Sequence, residues 1–301
     1  MEKYFCTVFT PTYNRGMYLK ELYNSLLQQS FEDFEWVIVD DGSKDNTKAI
    51  VEQFISEGKL DISYYKKENG GKHRAINYAL EYSQGKVFAI VDSDDVLTEN
   101  ALEIIYCHFK EIEKSSLKFA GIAVNKGYHD NSMVGTSFEG KFIDAKSNER
   151  IKNNITGDKF EIFYTSVLRQ YKFPSFANEN FMPEIVVWTR IANDGYFLRF
   201  YNDILYLCEY LDDGLTKNQF KILKNNPKGY ALRIKEQVKY GNISFKDKMG
   251  YYSNYFYLFR NNRSLLNLCK EIDANILVFL LSIVCRKIYF LLGKGNEDEY
   301  V

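Results

Sequence analysis

VFAIVDSDDVLTEN, residues 87–100, decides how the chain is read. An apolar, β-rich run, Val87–Val91, gives way at once to three carboxylates, Asp92, Asp94 and Asp95. Like charges this close repel, and each resists ionising beside the others. The cluster therefore predicts a positive partner in the working protein. The residues after it have helical spacing over Thr98–Glu113, with Thr98 in an N-cap position. A strand, an acidic turn and a helix make one step of a strand–helix alternation.

The same alternation runs backwards to the N-terminus. Strand-like runs fall at Tyr4–Thr10, Phe34–Val39 and Ile62–Tyr65, and helical patterns at Gly16–Gln29, Lys44–Ser56 and Lys72–Tyr82. Strands alternating with helices of this length predict an α/β fold, a Rossmann-type, mainly parallel sheet flanked by helices. The strand runs are apolar throughout, as burial on both faces requires. Ligands in such sheets bind at the carboxyl ends of strands. Asp40 and Asp41 stand at one such end and the 92–95 cluster at another, so the two could converge on one cleft.

Further along, Phe119–Asn125 reads as a strand, 126–158 as a polar excursion, and Phe160–Tyr164 as apolar again. A helix is predicted from Glu184 to Ala192, with Trp188 as core, and one or two strands over Phe197–Leu211. From 218 helical patterns dominate, broken at Pro227 and Gly241. The predicted division is thus 1–217, with halves at about 1–125 and 126–217, followed by a C-terminal helical extension, 218–301.

Composition excludes several classes. The 301 residues carry a net charge of -1, which provides no global field for nucleic acid. Five scattered cysteines without a CxxC pair argue against a disulfide or zinc framework and fit a reducing, cytoplasmic setting. The N-terminal MEKYFCTVFTPTYN lacks the pattern of a secretory leader. The apolar run within 274–292 is interrupted by Arg286 and Lys287. It reads first as a packed helix and second as a peripheral, membrane-surface helix.

Four stretches carry chemistry: TPTYNR at 10–15, VDDGSKDNT at 39–47, NGGKHRAINYAL at 69–80 and VDSDD at 91–95. Each lies where a strand gives way to a loop. Asp92 and Asp94 could present two oxygen donors to a hard divalent cation. An Asp-x-Asp alone serves equally as a turn and helix cap. Gly70 and Gly71 allow close approach of a ligand to the backbone, and Lys72, His73 and Arg74 follow as cations at a helix start. Cations there oppose the helix dipole, so a bound anion would account for them. Neither GxxxxGK[ST] nor GxGxxG is present.

In this order and spacing the four stretches resemble the family 2 glycosyltransferases of GT-A fold, strongly over residues 3–125 and moderately over 160–215. The resemblance implies transfer of a sugar from a nucleotide-diphospho-sugar, usually a UDP-sugar, to an acceptor hydroxyl with inversion, in bacterial polysaccharide or glycoconjugate assembly. It implies a saccharide or lipid-linked acceptor and a Mn²⁺ or Mg²⁺ cofactor. By that resemblance Thr10, Pro11 and Tyr13 line the nucleoside pocket. Asp41 bonds the uracil with Asp40 in support, Lys72 and His73 face phosphates or base, and Asn77 braces the loop. Asp92 contacts ribose or metal, Asp94 is the main metal ligand, and Ser93 and Asp95 stand beside it near the donor sugar. Glu184, after Pro183, matches the family's catalytic base, although Ile185 replaces the second acid of the usual pair; Glu179 is the fallback. No late histidine is available to the metal. Glu209, Tyr210 and Asp213 form a candidate lid. Competing readings are a sugar-phosphate nucleotidyltransferase, a nucleotide-binding module without turnover, and a membrane-surface scaffold.

Overall fold

The computed structural model describes residues 2–130, 132–209 and 219–292. The predicted alternation is present as β1 (Tyr4–Thr12), α1 (Leu19–Leu27), β2 (Phe34–Asp40), α2 (Thr47–Glu57), β3 (Ile62–Lys66), α3 (Lys72–Tyr82) and β4 (Gly85–Ile90). These strands pair in parallel in the order β3-β2-β1-β4. Every residue of β2 is buried, which is why its sequence is apolar without alternation. Of its two acids, Asp40 ends the strand and Glu35, within it, accepts a hydrogen bond from the Thr7 hydroxyl at 2.6 Å. Beneath the sheet Tyr23 and Phe54 stack at 4.1 Å and Trp36 packs beside them. Each such buried aromatic contributes about 1.5–3 kcal/mol.

Beyond β4 the chain forms β5 (Val96–Leu97), α4 (Ala101–Ile112), β6 (Phe119–Gly127), β7 (Phe142–Ala145), β8 (Lys159–Tyr164), α5 (Thr165–Leu168), α6 (Ile185–Asn193) and β9 (Phe197–Leu207). Here antiparallel strands join the mainly parallel sheet that the sequence predicted. β8 enters antiparallel between β4 and β6, β9 runs parallel to β6, and β5 and β7 run antiparallel to β9. The sheet is mixed because β6 and β8 are joined by the 126–158 excursion rather than by a helix, and antiparallel neighbours need no helical crossover. That excursion contains β7 and two 3₁₀ turns.

Three predicted helix starts move. A side-chain carbon at Gly16 would stand 2.9 Å from the Thr47 Cα, so the 13–16 loop packs on α2 and α1 begins only at Leu19. Asp45 accepts from both the Thr47 amide (3.1 Å) and hydroxyl (2.6 Å), and α2 starts there rather than at Lys44. Thr98 does not cap α4. Its amide pairs with the Leu205 carbonyl at 3.1 Å, and Asn100 holds the N-cap position.

The chain divides into two compact units. Met1–Phe173 and Ile191–Tyr210 form the unit that contains the sheet, and Pro174–Arg190 group with the C-terminal residues. The second unit contains α7 (Gln219–Asn225), α8 (Pro227–Tyr240), α9 (Phe245–Phe259), α10 (Leu265–Glu271) and α11 (Ile276–Leu291). Pro227, predicted as a break, is the first residue of α8, where its missing N–H costs nothing. The core of this unit is built on Tyr230, Ile234, Tyr252, Tyr255, Leu268 and Phe279. Trp188 is buried, as its helical spacing suggested.

Candidate functional site

The chain order β1, β2, β3 builds the sheet in one direction, and β4 then pairs on the other side of β1. Such a reversal leaves a crevice at the carboxyl ends of β1 and β4. TPTYNR leaves β1 at this point. Thr10 is fully buried, with its hydroxyl accepting from the Trp36 indole N–H at 2.9 Å. It supports the crevice from the core side. Pro11 is half-buried, and Tyr13 stands at the rim, 45% exposed. Asn14, at φ 52°, latches two loops together. Its amide donates to the Ser43 hydroxyl (2.9 Å), and its side-chain oxygen accepts from the Lys44 amide (2.8 Å).

Asp40 and Asp41 end β2 with different tasks. Asp40 is fully buried, accepting from the Ser43 amide and the Tyr64 hydroxyl, each at 2.6 Å. Asp41 accepts from the Gly70 amide (3.0 Å), the Gly71 amide (2.6 Å), the Asn69 side chain (3.2 Å) and Lys67. It organises the 67–71 loop ahead of α3. Gly71 can serve there because its φ is 94°, a region that side chains avoid.

From α3 the side chains diverge. Lys72 points its ammonium to the Asp92 carboxylate at 2.7 Å. His73 is buried, and that burial, aided by the Arg74 charge, pushes its imidazole down to about 4. The expectation of His73 as a cation for phosphate is therefore corrected: it is a neutral core group. Asn77 does not brace the glycine loop. Its amide pairs with the Phe173 backbone in both directions, at 2.9 Å each.

The turn after β4 brings the acids together. Burial alone would raise the Asp92 carboxyl, but Lys72 and Lys126 outweigh it and hold it below its ordinary value. Asp94 is raised by burial and by the Asp92 charge, and the Arg15 guanidinium lies 3.4 Å from it. Asp95 is pushed up to about 7, by burial first and then by Asp92. Ser93 is buried within the turn. One hydroxyl sets its shape: Tyr206 on β9 accepts from the Asp92 amide at 3.0 Å and donates to Asp95 at 2.6 Å. The Lys126 ammonium, at the end of β6, lies 4.2 Å from the Tyr206 ring centre. The two acidic strand ends expected to share a cleft are thus joined through the loop and helix between them.

Arg15, Lys126 and Tyr206 were given no role by the sequence. Arg15 stood in a quoted motif, but Lys126 and Tyr206 sit on ordinary strands with no local signal. For a divalent cation the available donors are Asp92 and Asp94. Burial and the Asp92 charge raise the Asp94 carboxyl even with Arg15 beside it, so added positive charge is favourable there. Among the described residues no three His, Cys, Asp or Glu side chains converge to close a metal site. Two carboxylates suit Mg²⁺ or Mn²⁺ completed by ligand oxygens and water.

In the second unit Glu184 is half-buried just ahead of α6, with its carbonyl accepting from the Val187 amide at 2.9 Å. Glu179 fails as a fallback base. Its two oxygens cap α8, accepting from the Lys228 and Gly229 amides at 2.8 Å each. Of the candidate lid, Glu209 is exposed, 3.9 Å from His129. Tyr210 and Asp213 lie outside the described residues.

The family model for glycosyl transferase family 2 matches residues 7–172. A Bacillus subtilis protein named for teichuronic acid biosynthesis, TuaG, is 28% identical over 222 residues, covering 72% of this chain and 84% of that protein. The structure of S. aureus TarS 1–349 in complex with UDP-GlcNAc superimposes with a TM-score of 0.61 at 22% identity, over 87% of this chain and 75% of that one. A Pyrobaculum calidifontis mannosyltransferase in complex with GDP-Man and Mn²⁺ gives a TM-score of 0.55 at 17% identity, over 95% of this chain and 76% of that one. At these identities the two structures establish a shared fold, the α/β arrangement of GT-A enzymes. The family match spans more than half of the residues and covers the four stretches at 10–15, 39–47, 69–80 and 91–95. The chain belongs to glycosyl transferase family 2, and it is a glycosyltransferase.

Proposed function

We propose that this glycosyltransferase takes its sugar from a UDP-sugar and transfers it, with inversion, to a hydroxyl of a saccharide or lipid-linked acceptor in polysaccharide or glycoconjugate assembly at the cytoplasmic side of a membrane. The observation that carries the reading is the Asp92–Asp95 turn, set between Lys72 and Arg15 at the carboxyl end of β4. The ligands of the TarS and mannosyltransferase structures, UDP-GlcNAc and GDP-Man with Mn²⁺, support a nucleotide-sugar donor.

The nucleoside would lie along the Thr10–Tyr13 strand end, with Tyr13 against the base and the Asp41-held loop at its edge. Asp92 and Asp94 would hold a divalent cation. When bound, that cation neutralises charge on the departing diphosphate, where negative charge develops. Lys72 and Arg15 are placed to exchange their present carboxylate partners for phosphate oxygens. Ser93 and Asp95 belong to the donor-binding turn, and Tyr206 keeps Asp95 in position. Glu184 takes the acceptor proton as general base.

Titration calorimetry with UDP, with and without Mn²⁺, tests the reading on the wild type and on Asp94→Asn. Metal-dependent binding is expected in the wild type and a loss of at least about tenfold in the variant, the usual scale for losing one charged ligand. Equal binding by both proteins would rule out the acidic turn as the nucleotide–metal site.

A further inference from the structure

Helix α11 has an apolar face on each side. Phe279, Ser282, Ile283 and Arg286 are buried against the core of the second unit. On the opposite side Leu277, Leu281, Val284, Ile288 and Leu291 follow at helical spacing, each between 47 and 86% exposed. Intervals of four, three, four and three residues place them on one stripe. Nothing among the described residues covers it, and large apolar side chains at this density on a surface mark an interaction site.

The charge of this part of the sequence narrows what fits the stripe. Residues 219–301 contain 14 Lys and Arg against 7 Asp and Glu, a net +7. Residues 1–218 contain 25 against 33, a net -8, so the overall value of -1 conceals a strong asymmetry. Residues 276–292 contain no acid at all, and Lys287 is exposed at the edge of the stripe. A second copy of α11 would bring no acid of that helix to meet Lys287. An anionic bilayer instead supplies apolar depth for the stripe and negative headgroups for Lys287. No single described helix is long and apolar enough to cross a membrane, and α10 and α11, which together reach that length, are bent by 110° at their junction. The N-terminus of α11 is capped by the Asn275 side chain, which accepts from the Leu277 amide at 3.0 Å, so α11 is a helix separate from α10.

We infer that α11 docks this enzyme on an anionic lipid surface, lying in the headgroup plane with Leu277, Leu281, Val284, Ile288 and Leu291 inserted. The inference is independent of the nucleotide-sugar reading.

Co-sedimentation of the full chain with phosphatidylglycerol-rich vesicles and with phosphatidylcholine vesicles tests it, at low and high salt. Binding to the anionic vesicles is expected, weakened by salt and about tenfold or more weaker in the double variant Val284→Asp, Ile288→Asp. Lys287→Glu is expected to weaken it in the same direction without touching the stripe. Equal binding to both vesicle types, or no loss in the double variant, would overturn the inference. So would a concentration-dependent dimer abolished by the double variant without vesicle binding, since the occupant is then a second copy. Competition by soluble polyphosphate that is indifferent to the double variant would reduce the surface to a charge patch and overturn it as well. Both positions are exposed, and circular dichroism checks that the variants fold. If the wild type fails to bind UDP, the donor assignment falls while the vesicle result stands by itself.

Discussion

The Tyr206 hydroxyl receives the Asp92 amide and donates to Asp95, and so fixes the turn that carries the acids. That donation lowers the cost of a charged Asp95, but burial and the Asp92 charge still raise its carboxyl. Lys126 adds a cation that neither motif nor spacing announced. His73 makes the opposite case, a charge-bearing residue type kept neutral by burial. Its folded value, about 4, lies below the ordinary 6.5. Above 6.5 both folded and unfolded chains hold it neutral, and it contributes no pH dependence. Between 6.5 and 4 only the unfolded chain takes the proton, so stability falls as the pH falls. From pH 7 to pH 5 the loss from this group is about 2 kcal/mol. Urea denaturation at the two pH values is expected to show a smaller acid-side loss in His73→Gln than in the wild type. The acids of the 92–95 turn were legible in the sequence because they adjoin an apolar strand. The protonation of His73 was not, because burial depends on what packs over α3.

At the scale of elements, helix starts follow from which side chain reaches an unpaired amide. α2 begins where Asp45 accepts from Thr47, and α8 begins where Glu179, many residues upstream, accepts from two amides. The first is a local contact that the sequence displays, and the second joins residues 49 and 50 positions apart. Glu179→Gln removes a carboxylate from a buried helix N-terminus. It is expected to cost about 1–2 kcal/mol in denaturant unfolding while leaving glycosyl transfer nearly unchanged. A collapse of kcat at unchanged stability would instead restore Glu179 as a catalytic group. The parallel half of the sheet was legible because each of its strands is followed by a helix of matching length. The mixed half was not, since β8 and β9 reach their neighbours by routes that leave no periodic trace.

For the molecule as a whole, the proposed base and the proposed donor turn have different tasks: Glu184 takes a proton from the acceptor, whereas Asp92–Asp95 hold the donor. Binding and turnover should therefore separate. Glu184→Gln is expected to lower kcat by about 10²–10⁴-fold, the usual contribution of a general base, with UDP affinity unchanged. Asp94→Asn is expected to lose both. Steady-state kinetics alongside calorimetry reads the split, and equal loss of UDP affinity in both variants would refute it. The sequence by itself determined the strand–helix order, the four loop motifs and the family they mark, because a strand and the turn that follows it are contiguous and carry their own periodicity. Only the tertiary structure decided that Tyr206 and Lys126 serve the acidic turn, that Glu179 caps a helix, and which face of α11 no described residue covers. Those outcomes rest on pairings such as Tyr206 with Asp95, 111 residues apart, and no local pattern encodes a contact that exists only once the sheet has closed.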